Sequence, residues 1–500
     1  MEHSFADLWG AISRVGDVAS GTLPREIEDR TVHRMKGKNV RVVAKMFLFG
    51  VWFAAFVGCS ADHRLADSDS DPFNVVLISI DTLAADHLGL YGYSRNTSPN
   101  LDRYAESAIV FENAYSTAPK TPESHMSMFT SLYPSVHGVF TIKDPDKLHV
   151  LDSEVRTLSE VLKQDGYTTA GFHGGGYVDG QFGFGRGFDE YHQGEQRRAE
   201  EWLWKNGKKG KFFLFFHTYR VHDPYTPTPP YDRRFDSDYS GPIVHDMESL
   251  MKMAESTEWI DYSTTFWSQV DKSDPDEVAH VVSLYDGVIA EMDENLVDLL
   301  SAIDRHAPRT IVIILSDHGE EFGQHGMFTH SQLYDEILHV PLIIRHPDRT
   351  GGERIAERVS LIDLAPTILE MLSIPAEAQF QGRALFDRID RAGNARPVFS
   401  EFPIGERMAL IRRDRKLMLT SGHEEFYDLR RDPEERRDLR LSEIERAPDD
   451  SAIELDALRK EMARVSRDNA FVRDSLGLRE ATEAPTDEVL QQLKALGYLE

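Results

Sequence analysis

Four stretches of the chain consist mainly of apolar residues. They read NVVLISI at residues 74–80, FFLFFH at 212–217, TIVIIL at 310–315 and VPLIIR at 340–345. Each has the length of a strand, and an almost unbroken apolar run is typical of a strand that is buried on both faces. Helical patterns alternate with these runs. The sequence therefore predicts an α/β fold with a large, mostly parallel central sheet flanked by helices.

The pattern changes near Pro397. From there apolar and polar residues alternate, which predicts a smaller antiparallel sheet, and the stretch TDEVLQQLKALGYLE predicts a helix. We expect a main catalytic domain at residues 74–376, a smaller subdomain at 377–475 and a helix or tail at 476–500. Residues 236–276 lack sheet periodicity and are expected to form an insertion.

Residues 35–59 have the composition of an export signal. Basic residues precede an apolar run from Met46 to Val57, and Gly58 stands directly before Cys59. The run is shorter than the ~20 residues that a membrane-spanning helix needs. The arrangement resembles a bacterial lipoprotein signal, in which such a cysteine carries the lipid. We expect an exported protein of the cell envelope, anchored to the membrane at Cys59, with a signal anchor as the alternative.

The residues on either side of this signal are expected to lie outside the folded domains. Residues 1–34 would be an extension that the mature protein lacks, and both Met1 and Met35 remain possible starts. Residues 60–73 are mostly polar and predict a linker.

Overall charge argues against a nucleic-acid-binding protein, and the cysteine content excludes a disulfide-stabilised one. Asp and Glu number 84 against 56 Lys and Arg, so the formal net charge is −28. Nucleic-acid binding needs a basic surface, and this balance argues against such a partner. Cys59 is the only cysteine, so no internal disulfide framework is possible.

Candidate ligands for a metal follow two of the predicted strands. Asp81 comes directly after NVVLISI, and Asp317 and His318 come just after TIVIIL. A carboxylate at the end of a buried strand is costly unless it is paired, although an aspartate there is also common as a helix cap. Carboxylates and an imidazole together suit a divalent cation. Asp81, Asp317 and His318 are thus predicted to bind one, with Thr121 of PKTPESHMSMFTSLYP as a candidate fourth ligand.

Several longer stretches occur together in one order along residues 74–500. They include NVVLISIDTLAADHLGLYGY, TPESHMSMFTSLYPSVHGV, HTYRVHDPYTPTPP, SDHGEEFGQHG, LYDEILHVPLIIR, FYDLRRDPEERRDL and LKALGYL. In this order they resemble the sulfatase branch of the alkaline phosphatase superfamily. The resemblance implies an alkaline-phosphatase-like sandwich with a smaller antiparallel-sheet domain, and an enzyme that hydrolyses sulfuric or phosphoric esters.

The resemblance also implies which residue attacks the ester. Sulfatases oxidise a cysteine or serine to formylglycine for this purpose, and counting back from Tyr133 and Pro134 places Thr121 at that position. Threonine is not converted in this way. Other branches of the superfamily, including nucleotide pyrophosphatases and phosphoethanolamine transferases, use an unmodified threonine. Thr121 is therefore expected to be the nucleophile.

Further residues around the ester follow from the same resemblance. His222 matches the histidine that faces the leaving group, and His330 takes the place of a lysine that contacts the ester. Lys120 and His125 would add positive charge beside the anion. The glycine-rich stretch TAGFHGGG replaces one that supplies a lysine and a histidine in sulfatases.

One divalent cation is implied, with two possible identities. Sulfatases bind calcium, whereas here Thr82 replaces a second aspartate and His318 replaces an asparagine. An imidazole ligand favours zinc or manganese.

The leading interpretation is a metal-dependent hydrolase of a sulfate or phosphate ester, acting on a small molecule or on a glycan or lipid ester. One alternative is a transferase of a phospho-group such as phosphoethanolamine or phosphoglycerol. Another is a catalytically degraded binding protein. The sequence leaves the oligomeric state open.

Overall fold

The computed structural model describes residues 72–142, 144, 146–256, 261–349, 351–386, 396–442, 449–496 and 498. The predicted extension, the signal segment with Cys59 and most of the predicted linker lie outside these residues. Among the described residues, no helix combines the length and the apolar character that crossing a membrane requires.

Strands account for much of the described chain. In chain order they are β1 (Asn74–Ile80), β2 (Ile109–Tyr115), β3 (Leu148–Val150), β4 (Thr168–His173), β5 (Glu190–Gln193), β6 (Phe212–Thr218), β7 (Thr310–Leu315), β8 (Glu321–Phe322), β9 (Phe328–Thr329), β10 (His339–Val340), β11 (Leu342–Arg345), β12 (Glu353–Ser360), β13 (Val398–Phe402), β14 (Arg407–Arg412), β15 (Arg415–Thr420), β16 (His423–Asp428) and β17 (Ala481–Glu483).

The α-helices differ widely in length. They are α1 (Pro99–Ala105), α2 (Thr121–Thr130), α3 (Pro134–His137), α4 (Leu158–Gln164), α5 (Gln196–Asn206), α6 (Met247–Ser256), α7 (Tyr262–Trp267), α8 (Pro275–His306), α9 (Asp335–Leu338), α10 (Leu364–Met371), α11 (Leu439–Ser442), α12 (Asp449–Ser475) and α13 (Asp487–Ala495).

The central sheet contains nine of the described strands, and the apolar runs lie at its middle. Its order is β5-β4-β6-β1-β7-β11-β2-β10, and β12 also pairs with β2. From β5 to β7 all neighbours are parallel, whereas β11 pairs antiparallel with both β7 and β2. The predicted large, mostly parallel sheet is confirmed.

One predicted strand is divided into two. The run VPLIIR forms the end of β10 and all of β11, with Pro341 between them. Proline has no N–H to donate to a strand ladder, which explains why pairing is interrupted there.

Both faces of the central sheet are covered, as the unbroken apolar runs predict. Along β1, Val75 and Leu77 belong to one apolar core, and Val76 and Ile78 belong to another on the opposite face. Residues of α2 and α10 contribute to the first core, and residues of α8 and α5 contribute to the second. The architecture is helix, sheet, helix, and it leaves the carboxyl ends of the strands free to form a site.

The predicted smaller antiparallel sheet is also present. Its order is β13-β14-β15-β16, and Leu455 and Leu458 of α12 pack against its residues Phe399 and Leu417. Its other face packs against Tyr334 and neighbouring residues of the main domain. The predicted final helix is α13.

Candidate active site

Parallel pairing brings Asp81, His217 and Asp317 to one edge of the central sheet. Ser79 of β1 is in register with His217 of β6 and with Leu315, the last residue of β7. Asp81 therefore follows β1 next to the end of β6, and Asp317 follows β7 at the same edge. Residues far apart in the sequence meet because their strands are neighbours.

Asp81 and Asp317 form a buried pair of carboxylates. One ligand atom from each, together with one from His318, lies within 4.8 Å of the others. Within the part of the chain that the structure describes, Asp81 Oδ1 and Asp317 Oδ2 have no hydrogen-bond partner. Burial and the charge of Asp317 raise the pKa of Asp81 well above its usual range. Two such carboxylates are costly without a positive charge between them, so the pair fits a divalent cation.

His318 is in the state that a metal ligand needs. Its Nδ1 lies 3.1 Å from the carbonyl oxygen of Gly319, and donation to that oxygen leaves the lone pair on Nε2. Nε2 lies 3.3 Å from Asp317 Oδ2. Burial lowers the pKa of His318 to about 4, so the ring is neutral near pH 7. A neutral imidazole with a free lone pair completes a plausible ligand set.

Thr121 lies beside these ligands at the beginning of α2. Lys120 precedes the helix with an extended backbone, and Thr121 is the first helical residue. The side chain is buried, and its Oγ1 lies 3.4 Å from His318 Nε2. The hydroxyl also helps to stabilise the charged form of Asp81. The predicted nucleophile and the three predicted ligands are therefore brought together.

Two neighbours hold Asp81 in place. His217 Nδ1 accepts a hydrogen bond from the backbone N–H of Gly174 at 3.4 Å, so Nε2–H donates to Asp81 Oδ2 at 3.1 Å. Thr82 has a φ of 58°, which is uncommon for a β-branched residue. In this conformation its hydroxyl donates to the carbonyl oxygen of Asp81 at 2.8 Å, and its N–H points to Asp317 Oδ1 at 3.4 Å.

His125 has a different place from the one that the sequence predicts. Its Nδ1 lies 2.9 Å from the carbonyl oxygen of Thr121, and its Nε2 lies 2.9 Å from Ser79 Oγ. Nδ1 is also 3.4 Å from Asp317 Oδ2. Both ring nitrogens are engaged within the protein. We therefore assign His125 to positioning Thr121 and Asp317, instead of contacting the ester.

His222 forms a buried ion pair with the residue that follows it. Its Nδ1 lies 2.7 Å from the carbonyl oxygen and 2.9 Å from Oδ1 of Asp223. Burial by itself lowers the pKa of His222, but the charge of Asp223 outweighs it and raises the pKa to about 10. Ser263 and Trp267 of the predicted insertion donate hydrogen bonds to Asp223 Oδ2. The insertion therefore supports a charged imidazole beside the site.

His330 lies beside two other histidines of the site, His318 and His222. It stacks on His318 with ring centroids 4.4 Å apart, and its centroid lies 5.2 Å from that of His222. Nδ1 lies 3.2 Å from Glu320 Oε1, whereas Nε2 is buried with no hydrogen-bond partner among the described residues. The contact of His330 with the ester stays a prediction.

Comparison with known proteins assigns the chain to a family. The Sulfatase family profile matches residues 73–374, more than half of the chain. The chain belongs to the sulfatase family. A second profile, N-sulphoglucosamine sulphohydrolase, C-terminal, matches residues 323–449 of this sulfatase-family protein. The protein is accordingly an ester hydrolase of the sulfatase and alkaline phosphatase superfamily.

Individual relatives are distant but extensive. A sulfatase of Formosa agariphila is 25% identical over 76% of this chain and 85% of its own length. The solved structure of a complex with the substrate D-glucosamine-2-N,6-O-disulfate aligns with a TM-score of 0.63 at 18% identity, over 81% of this chain and 99% of that one. A phosphonate monoester hydrolase of Agrobacterium radiobacter aligns with a TM-score of 0.62 at 18% identity, over 83% and 100%. At this identity the structural matches establish the fold.

Glu320 and Glu321 of this sulfatase-family protein follow Gly319 directly in the sequence. Both are buried. Glu320 accepts a hydrogen bond from Tyr225 at 2.9 Å and also contacts His330. Glu320 therefore helps to hold His330 in its position in the site.

Another group of potential ligands contains an ion pair. It contains Glu321, His325 and Glu336. His325 Nδ1 lies 2.6 Å from Glu336 Oε1, and Nε2 lies 3.2 Å from the carbonyl oxygen of Glu435. With an acceptor at each nitrogen, the ring is an imidazolium and has no lone pair for a metal.

Sequence reasoning missed two residues of the site. Asp223 follows His222 directly, and a carboxylate next to a candidate histidine was the available signal. Tyr498 lies in the quoted LKALGYL motif, yet nothing in its sequence context indicates a role. Its hydroxyl lies 2.7 Å from His222 Nε2. Only the packing of the chain reveals this contact.

Proposed function

We propose that the protein is a metal-dependent hydrolase of a sulfate or phosphate ester in which Thr121 is the nucleophile. One observation carries the proposal. The Thr121 hydroxyl lies at a buried point where two carboxylates with unpaired oxygens meet a neutral histidine. A threonine with only a structural role would not need two carboxylates and a neutral histidine around its hydroxyl. A cation there would supply positive charge to both the hydroxyl oxygen and the ester.

Asp81, Asp317, His318 and the Thr121 oxygen would hold that cation. The imidazole favours zinc or manganese over the calcium of other sulfatases. Metal dependence of this chain is supported by the two buried carboxylate oxygens that have no hydrogen-bond partner among the described residues.

The residues divide the chemistry between two sides of the ester. Thr121 Oγ1 attacks the sulfur or phosphorus atom, and its proton passes to Asp81, the carboxylate beside it. The bond to the leaving oxygen breaks on the opposite side, where His222 supplies a proton from the side of its ion pair with Asp223. Water then attacks the central atom and gives a proton to the neutral His222, while the bond to Thr121 Oγ1 breaks and that oxygen takes back the proton held by Asp81.

Phosphate is the group that the nucleophile favours. Formylglycine releases sulfate by collapse of a hemiacetal, which a threonine ester does not have. Release from Thr121 requires water to attack the central atom, and unmodified threonine nucleophiles of the superfamily do so at phosphorus. We therefore expect phosphate esters to turn over faster than sulfate esters.

The test compares Thr121→Ala and Thr121→Ser with the wild type on aryl phosphates and aryl sulfates in the presence of Zn²⁺, Mn²⁺ or Ca²⁺. The alanine variant should lose at least about 10³-fold in kcat, because it removes the group that forms the covalent bond. The serine variant should keep part of the activity. Mass analysis of quenched wild-type enzyme should detect the transferred group on Thr121.

The matched control is Thr130→Ala. Thr130 is a buried threonine of the same helix, and its hydroxyl donates to the carbonyl oxygen of Met126 at 2.7 Å. This variant should cost stability without a comparable loss in kcat. Wild-type activity in Thr121→Ala would reject the mechanism.

An exported, lipid-anchored protein of the cell envelope remains our proposal for its location. It rests on the basic and apolar residues before Cys59. Mass analysis of the mature protein should find a lipidated cysteine at the new N-terminus, and an intact segment before Cys59 would contradict the proposal.

A further inference from the structure

Tyr498 brings a phenol into the site from a distant part of the sequence. Its hydroxyl lies 2.7 Å from His222 Nε2 and 3.5 Å from Thr121 Oγ1. Its ring packs against Tyr177 with centroids 4.4 Å apart. The Tyr498 hydroxyl thus lies close to both the Thr121 hydroxyl and the charged ring of His222.

The glycine-rich stretch before Tyr177 makes room for this segment. The backbone N–H of Gly176 donates to Oε1 of Gln492 in α13 at 2.8 Å. A Cβ on Gly176 would lie 2.5 Å from Leu496 Cδ1, and its φ of 58° is also one that glycine adopts most easily. A side chain here would force the side chain of Leu496, the residue after α13, to move. The TAGFHGGG stretch therefore holds the segment that carries Tyr498.

The hydrogen bonds around His222 give the Tyr498 hydroxyl a direction. Nδ1–H of His222 points to Asp223, with which it forms an ion pair at 2.9 Å. In the imidazolium, Nε2–H also donates, so the Tyr498 oxygen is its acceptor. The phenolic hydrogen is then directed away from His222 and is free to donate to an ester oxygen, and Thr121 Oγ1 lies 3.5 Å from the phenol oxygen.

We propose that Tyr498 is a further catalytic residue, which donates its proton to the leaving oxygen of the ester and takes one from His222. The inference rests on the proposed function. As the bond from Thr121 forms and the bond to the leaving oxygen breaks, one proton moves from Tyr498 to that oxygen and another from His222 Nε2 to Tyr498. The phenol ends unchanged, His222 ends neutral, and the reverse transfers accompany attack by water.

The experiment measures leaving-group dependence in Tyr498→Phe. With metal-loaded enzyme, kcat is compared for phenyl phosphate, whose leaving group needs a proton, and 4-nitrophenyl phosphate, whose leaving group needs it far less. General acid catalysis is typically worth about 10²–10⁴-fold. We expect a loss of about 10²-fold or more for phenyl phosphate and less than about 10-fold for 4-nitrophenyl phosphate, with the melting temperature little changed.

Two further variants separate this role from packing. Tyr177→Phe removes a hydroxyl that accepts from the backbone of Ile142 at 3.1 Å, outside the site, and should affect both esters equally and weakly. Gly176→Ala should displace Leu496 and with it Tyr498, and should reproduce the selective loss for phenyl phosphate.

The outcomes are distinguishable. Equal losses for the two esters in Tyr498→Phe would reduce Tyr498 to a structural role. A rise in kcat/KM would show that the phenol blocks the site, and it would also overturn the proposal. Both results leave the proposed function intact if Thr121→Ala is inactive, whereas activity in Thr121→Ala would reject the proposed function itself.

Discussion

The carboxylates of Asp81 and Asp317 share one fully buried site, with ligand atoms within 4.8 Å of each other. Burial raises the pKa of Asp81, and the like charge of Asp317, which repels strongly when water is excluded, raises it further. A cation between them would turn this repulsion into attraction. The two carboxylates therefore destabilise the metal-free protein, and metal binding would remove this destabilisation.

Metal binding should stabilise the protein, and Asp317→Asn should abolish that effect. At a cation concentration of 100 times the Kd, the wild type should gain about 2.7 kcal/mol in the free energy of unfolding, which EDTA reverses. In the absence of metal, Asp317→Asn should bring no gain in stability, because His318 and His125 outweigh the effect of burial and hold the pKa of Asp317 below its usual range. Thermal unfolding with and without Zn²⁺ or Mn²⁺ measures both effects.

One result would contradict the predicted metal site. A metal-induced shift in melting temperature that persists in Asp317→Asn would place the cation elsewhere. Glu336→Gln is the matched control, since Glu336 belongs to the group with His325 that forms an ion pair. Its metal-induced shift should equal that of the wild type.

Asp223→Asn should change how stability depends on pH. The pKa of His222 is about 10 in the folded protein and about 6.5 when it is exposed. The stabilisation from its charge is therefore complete below about pH 6.5 and is lost as pH rises through 10. Asp223→Asn should lower the unfolding free energy by about 3 kcal/mol at pH 6 and should narrow that difference toward pH 10. Urea unfolding across this range is the measurement.

The control for this effect is Ser263→Ala. It removes one hydrogen bond to the Asp223 carboxylate and leaves the charges in place. Its cost should be nearly constant from pH 6 to pH 10. A difference between Asp223→Asn and wild type that does not vary with pH would contradict the assigned ion pair.

The sequence predicts those parts of the fold in which one physical requirement dominates. The runs at β1, β6 and β7 contain too many apolar residues for any position other than the middle of a covered sheet, and all three strands occur where expected. The mixed pattern of β12, whose residues are half exposed, carries no such signal. Ligands at strand ends were predictable because parallel pairing aligns the ends of strands.

The rest of the site depends on contacts that local sequence does not encode. The engagement of both nitrogens of His125 follows from how α2 packs beneath β1. The place of Tyr498 depends on how α13 lies against Gly176. In both cases the residue type was visible, but its partner became known only from the three-dimensional packing.

Glu123→Gln should stabilise the protein above neutral pH. Glu123 is buried in the first turn of α2, and its Oε1 accepts hydrogen bonds from the N–H and the hydroxyl of Thr141 at 2.8 and 2.9 Å. Burial raises its pKa from 4.5 to about 7. The folded state thus holds the proton more tightly, and stability falls as pH rises from about 4.5 to 7. Glutamine keeps the acceptor without the charge.

At pH 8 the variant should gain about 2 kcal/mol in unfolding free energy, and near pH 4.5 the difference should vanish. Chemical unfolding at the two pH values tests this. Glu106→Gln, an exposed site, should change little at either pH. A loss of stability in Glu123→Gln at pH 8 would mean that the charge is itself stabilising.

Lys416→Met should be among the most damaging changes outside the active site. Lys416 of β15 is fully buried, and its Nζ lies 2.7 Å from Asp335 Oδ1 and 2.8 Å from Glu435 Oε1. It therefore links the small sheet to the main domain. Removing it leaves the buried carboxylate of Glu435 and the partly buried one of Asp335 without this counter-charge, which costs about 3–5 kcal/mol.

The double variant Lys416→Met, Glu435→Gln isolates the charge from the packing. Burial raises the pKa of Glu435 to about 8 even though Lys416 opposes the rise. Without the lysine, this carboxyl binds its proton still more tightly, so the loss in Lys416→Met should be larger at pH 9 than at pH 6. The double variant should recover part of the stability at pH 9, as measured by urea unfolding. Equal losses in the single and double variants would show that the lysine stem, and not its charge, stabilises the contact.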